Sequence, residues 1–132
     1  MSCFWDSISN SIINEDKYKY FYININELLK PQNIVTVLKN VNNKTTNVLW
    51  NNQPLTQQNY QENIEHIKDY KVDTIYNGYL CSSCDPFLCL LCEYLNINIE
   101  HKYNGTLIHY TNTKSIRYTI KISSDRGHCW KQ

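Results

Sequence analysis

Apolar residues at Phe4, Ile8, Ile12 and Ile13 fall on one helical face, so the spacing predicts a helix over residues 4–14. Tyr18 to Ile25 alternates and is rich in aromatics, which reads as a strand or an extended connection. Asn26 to Lys30 fits one helical turn, stopped by Pro31. Ile34, Val37, Leu38 and Val41 then return to helical spacing over residues 33–41. Residues 42–52 are polar around Leu49 and Trp50 and read as a loop. Thr56, with Asn59 three residues on, is a candidate N-cap for a helix reaching about Lys68. Residues 72–80 are predicted to be a connection containing the turn signal Asn77-Gly78. Asp85-Pro86 is a strong helix start, because Asp caps the orphan amides and Pro is preorganised for the first helical position. The helix that follows, over 86–95, is apolar nearly all round and is expected to be buried.

The C-terminal third changes period. Ile97 to Lys102, Leu107 to Thr111 and Ser115 to Ser123 alternate or carry β-branched residues, with Asn104-Gly105 as a hairpin turn between the first two. Helices first and strands last predict an α+β architecture in a single domain over residues 1–132.

Composition narrows the class. A chain of 132 residues can bury a core without metal or disulfide staples, and 42% hydrophobic residues support a globular protein. Thirteen basic against twelve acidic residues leave a net charge of +1 with no basic stripe, so nucleic acid is not an expected partner. No apolar run is long enough to span a bilayer. The first residues lack a basic segment followed by an apolar one, so no signal peptide is expected. Six cysteines would permit three disulfides, and Asn43 and Asn104 head Asn-x-Thr sequons. Without an export signal, however, the reading is a reduced protein of the cytoplasm. Abundant Asn, Ile, Lys and Tyr, whose codons are rich in A and T, point to a biased genome such as that of a virus.

Two residues have the makings of a thiol site. Cys3 lies just ahead of the first predicted helix, where the macrodipole favours a thiolate. His128 follows Gly127 at the end of the strand-rich region and could serve as its base, brought close by the fold and not by the sequence. Cys129 is an alternative nucleophile, although neighbouring side chains on a strand face opposite ways.

Cys3-Phe4-Trp5-Asp6-Ser7-Ile8 resembles the nucleophile motif of papain-like and ovarian-tumour-type cysteine proteases, and Gly127-His128-Cys129-Trp130 resembles their histidine motif. The stretch from Asp85-Pro86-Phe87-Leu88 to Ile99 is similar to the buried helix and strand that precede the His in these enzymes, including viral ones of the nidovirus and torovirus type. The resemblance covers nearly the whole chain. It implies a papain-like α+β fold, with a helical N-terminal part carrying Cys3 and C-terminal antiparallel strands carrying His128. It also implies a monomeric thiol protease of the host cytoplasm, needing no cofactor or metal, that cleaves a viral polyprotein, removes ubiquitin-like modifiers, or does both. Its partners would be ubiquitin-like proteins and polyprotein peptides. Cys3 would attack the carbonyl, His128 would shuttle the proton, and the Cys3 backbone N–H would support the oxyanion. Two positions depart from the pattern. No Gln, Asn or Asp precedes Cys3, and Trp130 stands where the family often has an orienting Asn or Asp, which leaves Asp125 as the candidate for that role.

The alternatives are a non-enzymatic interaction domain with an aromatic binding face, or a small zinc-binding protein. The zinc reading rests on Cys81-x2-Cys84-x4-Cys89-x2-Cys92, yet zinc ribbons separate their paired cysteines by far more than four residues. Cys89 and Cys92 fall inside an apolar helix and read as core. His66 on an exposed helix face, and His101 and His109 on strands, read as structural. Tyr18, Tyr20 and Tyr22 read as one strand face used for core or substrate contact.

Overall fold

In a computed structural model, the described residues are 3–15, 30–77, 79, 84–125 and 129–131. Helix α1 (Cys3–Glu15) buries Phe4, Trp5, Ile8 and Ile12, the face that its spacing predicts. Helix α2 (Pro31–Asn40) opens with Pro31 at its first position and buries Ile34, Val35 and Leu38. Its Lys39 ammonium donates to the carbonyl oxygens of Lys68 at 2.8 Å and Tyr70, at the C-terminus of helix α3 (Gln57–Asp69). A cation there satisfies carbonyls that have no partner within their own helix. Thr56 and Asn59 form the reciprocal capping box at the start of α3, each side chain accepting from the other's amide at 3.1 Å. Helix α4 (Pro86–Leu95) is capped by Asp85, which accepts from the Phe87 amide at 3.0 Å, and ends on Asn96 in the left-handed conformation.

Six strands form one mixed sheet: β1 (Val48–Trp50), β2 (Gln53–Pro54), β3 (Asn98–Tyr103), β4 (Thr106–Asn112), β5 (Thr119–Ser124) and β6 (Cys129–Lys131), in the order β2-β1-β4-β3-β5-β6. Ile99, His101, Ile108, Tyr110, Ile120, Ile122 and Ser124 are buried on one face, while Glu100, Lys102, Leu107 and Lys121 alternate with them at more open positions. Helix α4 packs on β1, β4 and β3, and α1 packs on β5 and β6. The rings of Trp5 and Phe87 meet at 4.9 Å, so both helices share that face. With four α-helices among the described residues, the architecture is α+β, as the change of period predicts.

Four expectations are corrected. Residues 42–52 are not all loop, for β1 lies within them and turns into β2 through Asn51 and Asn52, both at positive φ (49° and 64°). That is the twist a two-residue hairpin demands, but a strand of three residues is too short to show alternation. The C-terminal strands are not all antiparallel: β5 pairs with β3 in parallel, Ile99 opposite Ile120 and His101 opposite Ile122. Alternation specifies which face is buried and not which neighbour is taken. Residues 115–118 precede β5 instead of belonging to it, and 72–77 form a 3-10 helix that buries Ile75. The predicted strand over 18–25 and most of the predicted turn over 26–30 lie outside the described residues.

Trp5 is fully buried at the junction of α1 and α4. Trp5→Ala is expected to destabilise the protein by about 3–5 kcal/mol, the range for a large aromatic truncated in a core. Urea unfolding should show this as a lower midpoint at unchanged slope, whereas a loss below about 1 kcal/mol would contradict the packing described.

Candidate active site

Two helix N-termini meet around the candidate site. Only Asn96 and Ile97 join the end of α4 to the start of β3, and at its other end the Asp85 N–H donates to Tyr110 Oη of β4. Trp5 packs on Phe87 in the first turn of α4, and Phe4 packs on Tyr79 at 4.4 Å. The start of α1, with Cys3 as its first residue, is thereby held against the start of α4. The chain leaves β5 and returns as β6, Ser124 pairing with Cys129, and α1 packs on both strands. Asp125 and His128 lie on the connection between them in the sequence.

Cys3 is half-buried, and its carbonyl accepts the Ser7 hydroxyl at 2.6 Å. The same bond recurs one turn on, from Ser11 to the Ser7 carbonyl at 2.8 Å. Buried Ser7 and Ser11 are small, which permits a close approach of α1 to the sheet, and their hydroxyls are satisfied within the helix. Asp125 follows β5 directly and is exposed. His128 lies outside the described residues, as does Cys81, while Cys129 opens β6. The fold packs α1, which bears Cys3, on the two strands whose connection carries Asp125 and His128 in the sequence.

One histidine that reads from the sequence as structural is buried beside the last residue of β5. His101 is fully buried on β3, and its Nε2 lies 2.6 Å from Ser124 Oγ. Its Nδ1 is buried with no hydrogen-bond partner among the described residues, and the ring packs on Tyr103 at 5.8 Å. Burial lowers the His101 pKa to about 4, so the imidazole is neutral near pH 7. The sequence carried a signal for this burial: His101 continues the odd-numbered phase of Ile97 and Ile99. His66 on α3 sits edge-on to Phe87 at 5.8 Å, and burial lowers its pKa against the pull of Asp69. His109 is half-buried on β4, its backbone N–H donating to Asn51 Oδ1 at 2.8 Å.

Asp85 anchors the N-terminus of α4. Its carboxylate accepts from the Phe87 amide and from the Tyr79 hydroxyl at 3.1 Å, and its own N–H donates to Tyr110 Oη at 2.9 Å. Cys89 and Cys92 are core residues, as their place in an apolar helix predicts, and burial contributes to raising both thiols' pKa values. Among the described residues no group of three or more His, Cys, Asp or Glu side chains is arranged to hold a metal ion.

The sequence matches no family model, and no curated protein or solved structure matches it.

His101 supplies a pH test. Its pKa is about 4 folded against 6.5 for an ordinary histidine, so the unfolded chain binds the proton more tightly. This contribution to stability is complete above pH 6.5 and is lost as pH falls toward 4, on the order of 3 kcal/mol in all. In His101→Gln, the slope of unfolding free energy against pH between 6.5 and 4 should be shallower by that amount. An unchanged slope would show that the ring is not held neutral.

Proposed function

We propose that the chain is a papain-like, ovarian-tumour-type cysteine protease acting on a viral polyprotein, on ubiquitin-like conjugates, or on both. One observation supports the reading: α1, with Cys3 as its first residue, packs on β5 and β6, and the connection between those two strands bears Asp125 and His128 in the sequence. A nucleophile at a helix N-terminus beside a base from a neighbouring strand is what thiol acyl transfer requires.

In this mechanism His128 takes the Cys3 proton and the sulfur adds to the scissile carbonyl carbon. The resulting oxyanion is met by the Cys3 backbone N–H in the first turn of α1. His128 then gives its proton to the leaving amine as the C–N bond breaks, which leaves a thioester on Cys3. Water, deprotonated by His128, adds to the thioester carbonyl, and the C–S bond breaks to release the acid and restore the thiol. Asp125 orients the imidazole from its place after β5. His101 has no part in proton transfer, because it is buried and is bonded to Ser124.

A ubiquitin probe carrying a thiol-reactive C-terminus, together with a peptide-based one for polyprotein-type cleavage, tests the proposal. Labelling should vanish in Cys3→Ala and persist in Cys129→Ala. Turnover of a fluorogenic ubiquitin substrate should fall by on the order of a thousandfold or more in Cys3→Ala and in His128→Ala alike, since members of one catalytic unit are not additive. Labelling that survives Cys3→Ala refutes the assignment. Native protein that neither probe labels supports an interaction domain instead.

A further inference from the structure

We propose that Cys84 and Cys89 form a dithiol that a peroxide oxidises to a disulfide, clamping the N-terminus of α4. The two residues flank the helix start in a defined relation: Asp85 is the N-cap, so Cys84 is the residue before the cap and Cys89 the fourth residue of the helix. These are the positions whose side chains meet across a helix entrance in the hydrophobic staple. Here both are cysteines, and their thiols are hydrogen-bonded to each other. Asp85 holds the entry geometry through its bonds to the Phe87 amide and the Tyr79 hydroxyl.

The two thiols differ in the way such chemistry needs. Cys84 is half-buried and within reach of a small oxidant, whereas Cys89 is wholly buried. The hydrogen bond from Cys89 lowers the Cys84 pKa, and the same bond, with burial, raises that of Cys89. Cys84 is therefore the attacking sulfur and Cys89 the resolving one, which keeps its proton until the second step. The Cys84 thiolate attacks one oxygen of hydrogen peroxide, the O–O bond breaks, and hydroxide leaves a sulfenic acid on Cys84. The Cys89 sulfur then attacks the Cys84 sulfur, the S–O bond breaks, and the departing hydroxide takes the Cys89 proton. Two thiols and one peroxide yield one disulfide and two waters. Cys92 lies deeper in α4, with its thiol directed to the Tyr110 carbonyl at 3.8 Å, and takes no part.

The full chain is treated with equimolar hydrogen peroxide, its remaining thiols are alkylated, and it is cut without reduction by trypsin and by a protease specific for the bond before Asp. Cleavage before Asp85 separates Cys81 and Cys84 from Cys89 and Cys92. The expected product is a cross-linked pair of fragments, with Cys81 and Cys92 alkylated. The cross-link should persist in Cys81→Ser and in Cys92→Ser and be lost in Cys84→Ser, whose half-buried site tolerates the change. A loop closed within the first fragment, between Cys81 and Cys84, would overturn the proposal. So would a Cys84 that stops at the sulfenic or sulfinic acid, a cross-link that survives Cys84→Ser, or four thiols that all remain alkylated.

Discussion

The edge-on contact of Trp5 with Phe87 joins two helices that are far apart in the chain and sets where each of them begins. Trp5 lies in the first turn of α1 and Phe87 in the first turn of α4, so one contact brings two helix N-termini together. Tyr70 and Tyr79 close around Phe87 at 5.2 and 5.9 Å, and Phe4 closes on Trp5 at 5.0 Å. Aromatic pairs in perpendicular and tilted arrangements add to the area they bury, about 0.5–1.5 kcal/mol for a pair. Whatever chemistry occurs at Cys3 depends on this cluster to hold the thiol-bearing turn in position.

Around that apolar joint the buried polar groups are paired in ways that tie helices to strands. Asp85 links the start of α4 to β4 through Tyr110. At the other end of α4, Asn112 donates to the Cys92 carbonyl at 2.8 Å, and the Asn47 side chain reaches Glu93 at 3.1 Å just before β1. Lys39 closes the end of α3 from α2. An unmet buried polar group costs more than an ordinary bond contributes, so these pairs discriminate against other packings of the same helices. His101 has one ring nitrogen bonded to Ser124 and the other without a partner among the described residues. It is the price of joining β3 to the end of β5, and it makes that end of the sheet sensitive to acid.

The elements with strong local signals were legible from the residues alone. Helices α1, α2, α3 and α4 follow from apolar spacing together with the Thr56 cap and the Asp85-Pro86 start, whereas Pro31, which reads as a stop after Lys30, opens α2. The β3–β4 hairpin follows from Asn104-Gly105, whose positive φ values of 49° and 82° are those the turn requires. These are short-range effects of dihedral preference, local capping and side-chain period, so a window of a few residues contains them. A cysteine at the head of α1 was legible for the same reason.

Tertiary structure decided which surfaces meet. The parallel pairing of β5 with β3, the addition of β1 and β2 beyond β4, and the burial of His101 all follow from long-range burial that no local period specifies. The packing of α4 on β1, β4 and β3 and of α1 on β5 and β6 brings Phe87 to Trp5. The sequence by itself determined that Cys3 heads a buried helix and that the four central cysteines straddle the start of another. Only the packing of one helix against the other, driven by apolar area and aromatic contact, decided what lies beside Cys3 and which thiol Cys84 faces.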